Sequence, residues 1–372
     1  MRILVVFTYG YSLKTWEESG TLERELSIYS ELQKKYGIKF TFLTYGDSSD
    51  YQISLKDFDV DIIPMYKYQK KSRFKIINIL KSIYFPLKNK RLFVGIDMIK
   101  QNQLQGSWVA IIIKTLLHKP LFTRTGYDVY KFCLEDKKNF FIKFLYLYLT
   151  KITIWLSNIY SVSNLTDLKY SELKYNKNKK FILRPNWILP NEYIEKKRFS
   201  NKILCVGRLE DQKNFGYIIN EFKNSNFEID IVGKGSQKNE LQDLSVKNNV
   251  KVNFLKNIEN KNLIKLYSDY KYFISSSLYE GHPKTVLEAM HSGCIVFLSG
   301  ISNHAELLDH GVDGYLYDLK KGNLKELFKE TISNEGVHKN ISQNARLNME
   351  RKFSLEKAVT TEFEDYKNTI YL

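Results

Sequence analysis

Residues 272–298 read YFISSSLYEGHPKTVLEAMHSGCIVFL. Two short apolar runs, Tyr272–Ser275 and Ile295–Leu298, stand at the ends of this stretch and predict buried strands. Between them a polar loop leads to Lys284–His291, which predicts a helix. Pro283 stands at the helix start, where its missing N–H costs little. This order of strand, loop, helix and strand is typical of a parallel sheet covered by helices.

The same alternation extends along the whole chain, on both sides of a turn-rich stretch at 184–200. Before that stretch, strands are predicted at Ile3–Phe7, Phe40–Thr44, Ile62–Met65, Leu92–Ile96, Leu121–Thr123, Ile159–Val162 and Phe181–Leu183. After it, further strands are predicted at Ile203–Val206, Glu228–Val232 and Val252–Leu255. Helices are predicted between them, for example at Thr21–Lys35, Gln105–Leu117 and Asn139–Ser157. We therefore predict an α/β protein of two doubly wound Rossmann-like domains that face a central cleft, where such folds bind ligands.

Length and composition agree with two globular domains. The chain has 372 residues, and single cores rarely grow past about 250–300 residues. We assign 1–190 to an N-terminal domain and 200–352 to a C-terminal domain, joined by a linker that contains Pro185 and Pro190. With 43% hydrophobic and 26% charged residues, the chain is too apolar for disorder.

Cysteine spacing and hydropathy indicate in which cellular compartment the protein is expected. Cys133, Cys205 and Cys294 lie far apart, which argues against a disulfide framework or a cysteine-based zinc site and suits a reducing compartment. The apolar run Ile3–Phe7 is too short for the core of a secretion signal. Two lysines interrupt the most apolar longer stretch, Phe140–Ile159, so it falls short of a membrane span. We expect a soluble or peripheral protein in the cytoplasm.

The net charge of +16 lies entirely in the first half of the chain. Residues 1–200 carry 34 basic and 18 acidic residues, whereas 201–372 carry 23 of each. No acidic residue occurs between Ile62 and Ile96, and within this stretch Arg73–Phe85 has helical apolar spacing. The stretch contains nine basic residues: Lys67, Lys70, Lys71, Arg73, Lys75, Lys81, Lys88, Lys90 and Arg91. Such a helix either lies on an anionic membrane leaflet or is simply solvated. Nucleic acid ranks lower as a partner, because no recognisable binding motif accompanies the charge.

A first candidate site follows the strand that ends at Val206. The segment CVGRLEDQKNFGYII continues with Gly207, Arg208 and Lys213 before a helix that begins near Asn214. Backbone N–H groups, a helix dipole and two cations suit an anion. Downstream, Gly233 and Gly235 of IVGKGSQ allow either a plain turn or a close approach of the backbone to a ligand.

A second candidate site is the loop and helix quoted first. Glu280 lies in the loop and Glu288 on the helix, with seven residues between them, and the helix start offers free amides for an anion. The two carboxylates suit the hydroxyls of a polyhydroxylated ligand. The alternative is that Glu288 bonds a neighbouring residue and that Glu280 is merely solvated.

Together these segments resemble the retaining glycosyltransferases of family four, which have the GT-B fold. Their E-x7-E element is similar to Glu280 and Glu288, and their phosphate-binding element is similar to Arg208 and Lys213. The GKG turn at 233–235 and the segment HAELLDHGVDGYLY also resemble family segments around the donor site.

The resemblance implies that the C-terminal domain binds a nucleotide sugar, most simply a UDP-sugar. Arg208 and Lys213 would neutralise the diphosphate leaving group, Glu280 would hold hydroxyls of the donor sugar, and Glu288 would hold the ribose. Glycines 207, 233 and 235 would shape the donor site. The segment His282, Pro283, Lys284, Thr285 and Val286 would supply backbone support for sugar and phosphate. Such enzymes retain the anomeric configuration and need neither a bound metal nor another cofactor.

The N-terminal half resembles the acceptor-side domain of the family more loosely. The resemblance rests on RILVVF with a loop ending in Gly20, on NQLQGSWVA and on RTGYD, which contains Asp128. Many relatives carry a histidine within the stretch that corresponds to 97–108, where Asn102 or Gln103 would substitute here. Asp128 either faces the acceptor or caps a loop. The last helix, about 353–372, resembles the segment that packs back onto the first domain.

These observations lead to one main hypothesis and two alternatives. The main hypothesis is a retaining, metal-independent transferase that moves a hexose or N-acetylhexosamine onto a growing, lipid-linked surface glycan, such as a capsule, O-antigen or exopolysaccharide. Its basic half would keep it at the anionic inner face of the plasma membrane. One alternative keeps the fold and changes the acceptor to a soluble sugar phosphate or small molecule. The other is a non-catalytic protein that binds nucleic acid, and no nucleic acid is expected under the main hypothesis.

Overall fold

The computed structural model describes residues 1–56, 58–175, 181–191, 196–256 and 258–371. The chain divides into two compact units, which are treated separately below. The first unit comprises Met1–Pro185 together with Glu356–Leu372, and the second comprises Asn186–Leu355. Residues 186–188 belong to the second unit because Asn186 bonds His282 and the Ile188 N–H donates to the Phe353 carbonyl. Residues 192–195 of the predicted linker lie outside the described residues.

Thirteen strands are found within the described residues. Those of the first unit are β1 Arg2–Val6, β2 Lys39–Thr44, β3 Val60–Pro64, β4 Met98–Asn102, β5 Leu121–Arg124, β6 Ile159–Val162 and β7 Phe181–Leu183. Those of the second unit are β8 Phe199–Val206, β9 Glu228–Val232, β10 Val252–Leu255, β11 Tyr270–Ser275, β12 Ile295–Ser299 and β13 Tyr315–Tyr317.

Helices connect the strands throughout. The chain begins with α1 Leu13–Glu18, α2 Leu22–Tyr36, α3 Met65–Tyr68, α4 Lys75–Lys88, α5 Ser107–Leu117, α6 Val129–Glu135, α7 Phe140–Leu156 and α8 Leu165–Lys174. The second unit contains α9 Phe215–Glu221, α10 Lys238–Lys247, α11 Asn260–Tyr267, α12 Lys284–His291, α13 Ser302–Ala305, α14 Leu324–Ser333 and α15 His338–Phe353. The final helix is α16 Leu355–Tyr371. Short 3-10 helices occupy Ser48–Gln52, Lys90–Phe93, Asp211–Lys213 and Glu335–Val337.

Local sequence explains several helix ends. The Asn139 side chain accepts a hydrogen bond from the Ile142 N–H at 2.9 Å and caps the start of α7. Asn164 caps α8 in the same way through the Asp167 N–H. At the end of α2, Gly37 adopts a left-handed conformation with φ +64°, which a glycine takes without steric cost.

The first unit is built on a seven-stranded sheet of parallel strands, in the order β3-β2-β1-β4-β5-β6-β7. The predicted strand Leu92–Ile96 is wrong. That stretch forms the end of a 3-10 helix and a turn in which Gly95 has φ +78°, and the strand paired with β1 and β5 is β4, which begins at Met98. Phe93 and Ile96 are buried but Val94 is 68% exposed, so the apolar run reflects packing of a loop rather than a strand.

The helix α16 joins the first unit through buried ion pairs. The Lys100 ammonium on β4 bonds the Glu362 carboxylate of α16, and both side chains are buried. Arg184 donates to both carboxylate oxygens of Asp365, one turn further along the helix. Tyr36 of α2 stacks on Phe363, with ring centroids 3.7 Å apart. Charge pairing and ring stacking therefore hold this C-terminal segment against β4 and α2.

The second unit contains a six-stranded parallel sheet in the order β10-β9-β8-β11-β12-β13. Side chains alternate between its faces, so Ile203 and Cys205 pack in one hydrophobic cluster while Leu204 and Val206 pack in another. Helices cover both faces, which explains why apolar residues predominate in the central strands. The predicted α/β class with two Rossmann-like halves is confirmed. Sequence reasoning did not assign β13 as a strand; it pairs with β12 at the edge of this sheet.

Two further properties concern the whole chain. Among the described residues, no helix combines the length and the apolar character that a membrane crossing requires. Cys133, Cys205 and Cys294 are all buried as free thiols.

Candidate active site in the second unit

The first predicted site is a loop at the carboxyl end of β8, in the middle of the sheet. The loop runs from Gly207 to Asn214, which has φ +49° and leads directly into α9. Lys213 ends a 3-10 helix within this loop. The aliphatic part of the Lys213 side chain covers Gly207, where an added Cβ would lie 3.1 Å from it. Gly207 therefore leaves the space through which Lys213 crosses the end of the strand.

The predicted glycines at 233 and 235 serve the packing of two loops. A Cβ on Gly233 would lie 1.8 Å from the Gly207 carbonyl oxygen, and one on Gly235 would lie 2.2 Å from the Leu209 carbonyl oxygen. The Leu209 N–H donates to the Lys234 carbonyl at 2.9 Å. The close approach that these glycines permit is thus made by the neighbouring loop, whose position they determine.

A second loop, from Ser276 to Pro283, follows the adjacent strand β11 and is bonded to the first. The Ser276 hydroxyl lies 2.9 Å from the Lys213 carbonyl and 2.8 Å from the Asn214 carbonyl. The Leu278 N–H donates to the Gln212 carbonyl at 2.9 Å. Since β8 and β11 are parallel neighbours, their carboxyl ends bring these two loops together, although 67 residues separate Lys213 from Glu280.

Lys213 and Glu280 form a buried ion pair at this junction. The Lys213 ammonium bonds Oε1 of Glu280, and the side chains are only 14% and 7% exposed. The Ser277 hydroxyl donates to the same oxygen at 2.6 Å. Burial by itself raises the pKa of Glu280, but Lys213, His304 and the hydrogen bonds outweigh burial and hold that pKa below its ordinary value. Glu280 is therefore an anion, and the interpretation that it is merely solvated is wrong.

Arg208 is exposed and is held in place through a glutamine. Its guanidinium donates to Oε1 of Gln212 at 2.9 Å, and the Gln212 amide donates to the Tyr279 carbonyl at 2.8 Å. Arg208 is thereby fixed relative to the residue just before Glu280. Sequence reasoning missed Gln212, which is buried although it lies in a polar loop. Arg208 is the second cation of the two loops, and the neighbouring carboxylates of Glu210 and Asp211 bond Ser236 and Gln237.

A buried histidine extends the network behind Glu280, and sequence reasoning missed it too. Nδ1 of His304 lies 2.9 Å from the Ser299 carbonyl oxygen, and the Ser299 hydroxyl donates to the Ser277 carbonyl at 2.7 Å. A carbonyl can only accept, so Nδ1 carries the proton of the neutral ring. Burial lowers the pKa of His304 to about 4, against the raising effect of Glu280. The signal in the sequence was a histidine within NHAELLDH, in the segment similar to family segments around the donor site.

The neutral His304 makes a testable contribution to the pH dependence of stability. Between the ordinary histidine pKa near 6.5 and about 4, the unfolded chain binds a proton here that the folded chain does not. Stability therefore falls as the pH falls. Over pH 7 to 5, the wild-type protein is expected to lose about 2 kcal/mol more unfolding free energy than His304→Asn, which keeps a donor for Ser299 but cannot titrate. Urea unfolding at both pH values measures this difference, and His118→Asn at an exposed histidine is the control. Equal losses of unfolding free energy in all three proteins would contradict the conclusion that His304 is neutral in the folded protein.

Glu288 lies on α12, where its oxygen Oε1 accepts a hydrogen bond from the Asn260 side chain at 2.9 Å. Asn260 is the first residue of α11, so this contact joins two helices of the second unit. Glu288 is buried. Its bond to Asn260 agrees with the alternative in which Glu288 bonds a neighbouring residue, and its role toward a ribose stays a prediction.

The predicted backbone segment His282 to Val286 begins in the loop and continues into the first turn of α12. His282 is buried, its Nδ1 accepts from the Asn186 N–H at 3.2 Å, and its ring lies 5.0 Å from that of Phe353. Pro283 has no N–H, and the Val286 N–H donates to the Pro283 carbonyl at 3.1 Å. The N–H groups of Lys284 and Thr285 lie in the first turn of α12, where the helix itself supplies no acceptor. Within this segment, these two amides are the ones at the helix start, where the predicted anion would bind.

The four acceptor-side candidates of the first unit all have local structural roles. Gly20 follows α1 with φ +69°, and its N–H donates to the Glu17 carbonyl. The Asn102 side chain donates to the Tyr29 hydroxyl at 2.7 Å, and that of Gln103 accepts from the Gly126 N–H at 2.9 Å.

Asp128 caps α6 by accepting from the Lys131 N–H at 2.7 Å, and it also accepts from the Tyr175 hydroxyl at 2.7 Å. Burial raises its pKa. The capping interpretation of Asp128 is thus the one that its contacts support. Throughout the described part of the chain, no group of three or more His, Cys, Asp or Glu is arranged to hold a metal ion.

Both loops lie in a part of the chain that is similar to a known protein family. Residues 191–348, which include the described parts of both loops, match the family model described as Glycosyl transferases group 1. This segment is similar to group 1 glycosyl transferases. The ion pair, Arg208, Gln212 and the start of α12 all lie within the matched segment.

Similar proteins include three with related names. The chain is 32% identical over 131 residues to the UDP-N-acetylglucosamine–peptide N-acetylglucosaminyltransferase GtfA subunit of Streptococcus agalactiae, a match that covers 34% of this chain and 25% of that protein. It is 24% identical over 340 residues to glycosyltransferase MJ1178 of Methanocaldococcus jannaschii, covering 90% and 91%. It is 29% identical over 153 residues to the amylovoran biosynthesis glycosyltransferase AmsD of Erwinia amylovora, covering 40% and 43%. The chain thus spans only a quarter of the length of the GtfA subunit.

Solved structures show the same fold. Sucrose-phosphate synthase from Thermosynechococcus elongatus superposes with a TM-score of 0.79 at 14% identity, covering 99% of this chain and 98% of that one. HepE from Anabaena, in complex with UDP-glucose, superposes with a TM-score of 0.75 at 13% identity, covering 99% and 100%. At these identities the likeness establishes the GT-B fold class and no more.

Proposed function

We propose that the protein is a retaining glycosyltransferase that moves a hexose or N-acetylhexosamine from a UDP-sugar onto a growing, lipid-linked surface glycan. The observation that carries the proposal is the buried Lys213–Glu280 pair beside Arg208, in two loops of the segment similar to group 1 glycosyl transferases. The names of the GtfA subunit and AmsD support a UDP-sugar donor and a polysaccharide product. Retention, metal independence and a location at the inner face of the membrane rest on the family resemblance and on the basic first half.

In the proposed reaction the bond between the anomeric carbon and the diphosphate oxygen breaks, and the diphosphate leaves with the electron pair. The acceptor hydroxyl forms the new bond to the same carbon, and its proton passes to the leaving diphosphate. Arg208, the Lys213 ammonium and the first-turn amides of α12 stabilise the charge that develops on the diphosphate. Glu280, an anion held by Lys213, accepts hydrogen bonds from hydroxyls of the donor sugar. Fixed donors of this kind need no reorganisation during the reaction.

Donor binding provides a first test. A panel of UDP-, GDP- and ADP-sugars is added to the purified protein and the thermal midpoint is measured. A UDP-sugar at about 100 times its Kd is expected to stabilise the protein by about 2.7 kcal/mol, which raises the midpoint by several degrees. Arg208→Ala should reduce this shift, whereas Glu240→Ala on exposed α10 should not. A shift with a GDP- or ADP-sugar alone would contradict the choice of nucleotide.

Release of the nucleotide with an acceptor tests transfer itself. Glu280→Ala and Arg208→Ala are each expected to lower the transfer rate at least tenfold while the proteins remain folded. Wild-type rates in both variants would contradict the proposed site.

The first alternative, a soluble acceptor, is tested by a soluble sugar phosphate in place of the lipid-linked acceptor. Salt-dependent binding to oligonucleotides without nucleotide release would favour the second.

A further inference from the structure

Three helices of the first unit, α4, α5 and α7, form one layer. The Trp108 indole on α5 donates to the Ser82 hydroxyl on α4 at 2.9 Å. On the other side of α5, the hydroxyls of Ser107 and Thr153 on α7 lie 2.8 Å apart in a buried contact. We call α4, α5 and α7 the helix layer, in which α5 is central.

The two outer helices of the helix layer expose large apolar side chains. On α7, Phe140 is 81% exposed and Trp155 is 74% exposed, and the exposed positions recur every three or four residues. The exposed set on α7 is Phe140, Phe141, Phe144, Leu145, Tyr148, Ile152 and Trp155. The exposed set on α4 is Ile76, Ile77, Leu80, Ile83, Tyr84 and Leu87. Soluble proteins rarely leave so much contiguous apolar surface uncovered, and such a surface marks an interaction site.

The charge of the helix layer restricts what can cover it. None of the three helices contains an aspartate or glutamate. They carry only cations: Lys75, Lys81, Lys88, Lys114, Lys143 and Lys151. By contrast, α2 and α16, which contact Lys100 and each other, carry several carboxylates, including Glu23, Glu25, Glu356 and Glu362. The absence of carboxylates therefore belongs to the helix layer and is not a general property of the unit's helices.

An anionic lipid surface can cover the exposed apolar side chains and also pair with the lysines. Aliphatic and aromatic side chains enter the boundary between headgroups and acyl chains, while lysine stems reach back to anionic headgroups. Tyrosine and tryptophan suit this boundary because one end of each ring system is apolar and the other is polar. A nucleic acid would satisfy the lysines and leave the apolar set exposed, and a second copy of the helix layer would bring like charges together.

We propose that the helix layer lies on an anionic lipid leaflet, with the apolar side chains of α7 and α4 inserted below the headgroups. This extends the predicted basic helix to a surface in which α7 contributes most of the aromatic area. The proposal deepens the lipid-linked acceptor of the proposed function, since the same leaflet would hold that acceptor. It rests on the proposed function only in that respect, because lipid binding does not require the donor site.

Vesicle binding tests the proposal with the full chain. Vesicles of phosphatidylcholine with an equal share of phosphatidylglycerol are compared with pure phosphatidylcholine at 0.1 M NaCl (about the ionic strength at which charges act over 10 Å). The wild-type protein is expected to bind the anionic vesicles. Phe141→Glu combined with Trp155→Glu should weaken binding at least tenfold. The control is Val246→Glu combined with Leu347→Glu, which adds the same charge at exposed apolar positions of the second unit and should bind nearly as the wild-type protein does.

Insertion is read from fluorescence quenching by lipids brominated on the acyl chain. Quenching is expected in the wild-type protein and should be largely lost in Trp155→Phe. Three results would overturn the proposal: no binding to anionic vesicles, equal loss in both pairs of variants, or a dimer that the Phe141 and Trp155 changes dissolve without any vesicle binding. Stabilisation by a UDP-sugar, measured in parallel as a rise in the thermal midpoint, should be unchanged in the α7 variants. If the wild-type protein shows no such rise, the result counts against the proposed function and leaves the lipid surface standing.

Discussion

Replacing Lys213 by Met is expected to lower the transfer rate at saturating donor by at least a hundredfold. The Lys213 ammonium is the buried cation of the site, and removing one charge-stabilising donor of this kind costs about 10²–10³ in rate. The substitution has a second consequence: without Lys213, burial dominates at Glu280 and raises the pKa of its carboxyl. Nucleotide release with the lipid-linked acceptor measures the effect.

A double variant shows whether the two residues act as a unit. Lys213→Met combined with Glu280→Gln removes both charges and leaves no carboxylate buried without its ammonium. If the two residues act together, this double variant should be about as slow as either single variant, since the effects of residues that act together are not additive. Lys247→Met, at an exposed lysine at the end of α10, is the matched control and should keep its activity. Near wild-type rates in Lys213→Met would refute the proposed role of the pair.

Replacing Glu362 by Ala is expected to lower the free energy of unfolding of the first unit by about 3–5 kcal/mol, because it leaves the Lys100 ammonium buried without a counter-ion. Lys100 is 1% exposed and lies under the Tyr29 ring, with its ammonium 4.6 Å from the ring centroid. Urea unfolding, followed by a probe in the first unit, measures the change.

A double variant, Lys100→Met with Glu362→Met, shows whether Glu362→Ala destabilises the protein through the unpaired charge or through lost packing. Two apolar side chains of similar volume remove the desolvation cost of both ions, so the double variant should recover most of the stability. Glu364→Ala on the exposed side of α16, which removes an ion pair with Lys367, should cost less than about 1 kcal/mol. Similar losses in Glu362→Ala and Glu364→Ala would contradict the importance of the buried pair.

The pH dependence of this pair has a definite sign. Burial raises the pKa of Glu362, but Lys100 and Arg124 outweigh burial and hold it below its ordinary value. A carboxyl with a lowered folded pKa contributes stability above its unfolded pKa, near 4.3, and loses it as the pH falls through the folded value. The first unit should therefore weaken in acid through Glu362, and the second through Glu280 in the same way.

Much of the fold could be predicted because most of its strands are short runs rich in apolar residues and bounded by polar loops. Ile159–Val162, Phe181–Leu183, Glu228–Val232 and Val252–Leu255 were predicted with the bounds that the structure has. The failure at Leu92–Ile96 shows the limit of this signal. A packed loop also requires a run of apolar side chains. At 92–96 the left-handed backbone of Gly95 shows that the run is a loop and not a strand.

The site was predictable to a different degree. The residue types and their order placed Arg208, Lys213 and Glu280 in two loops that each follow a predicted strand, and the structure shows that the two strands are neighbours. The sequence could not indicate that Lys213 and Glu280 bond each other, that Gln212 holds Arg208, or that His304 is neutral, because each depends on burial produced by distant residues.

The order of apolar and polar residues by itself determined two parallel α/β halves, since each strand and helix is specified by a local period of burial. It also determined the uneven charge. Tertiary structure alone decided which charges pair: Lys100 lies 262 residues from Glu362, and their attraction is strong only because the fold brings them together and removes water from both. The same holds for Gly233, whose missing side chain matters because the Gly207 carbonyl occupies that space. Contacts between distant segments are set by packing in three dimensions, which no local pattern encodes.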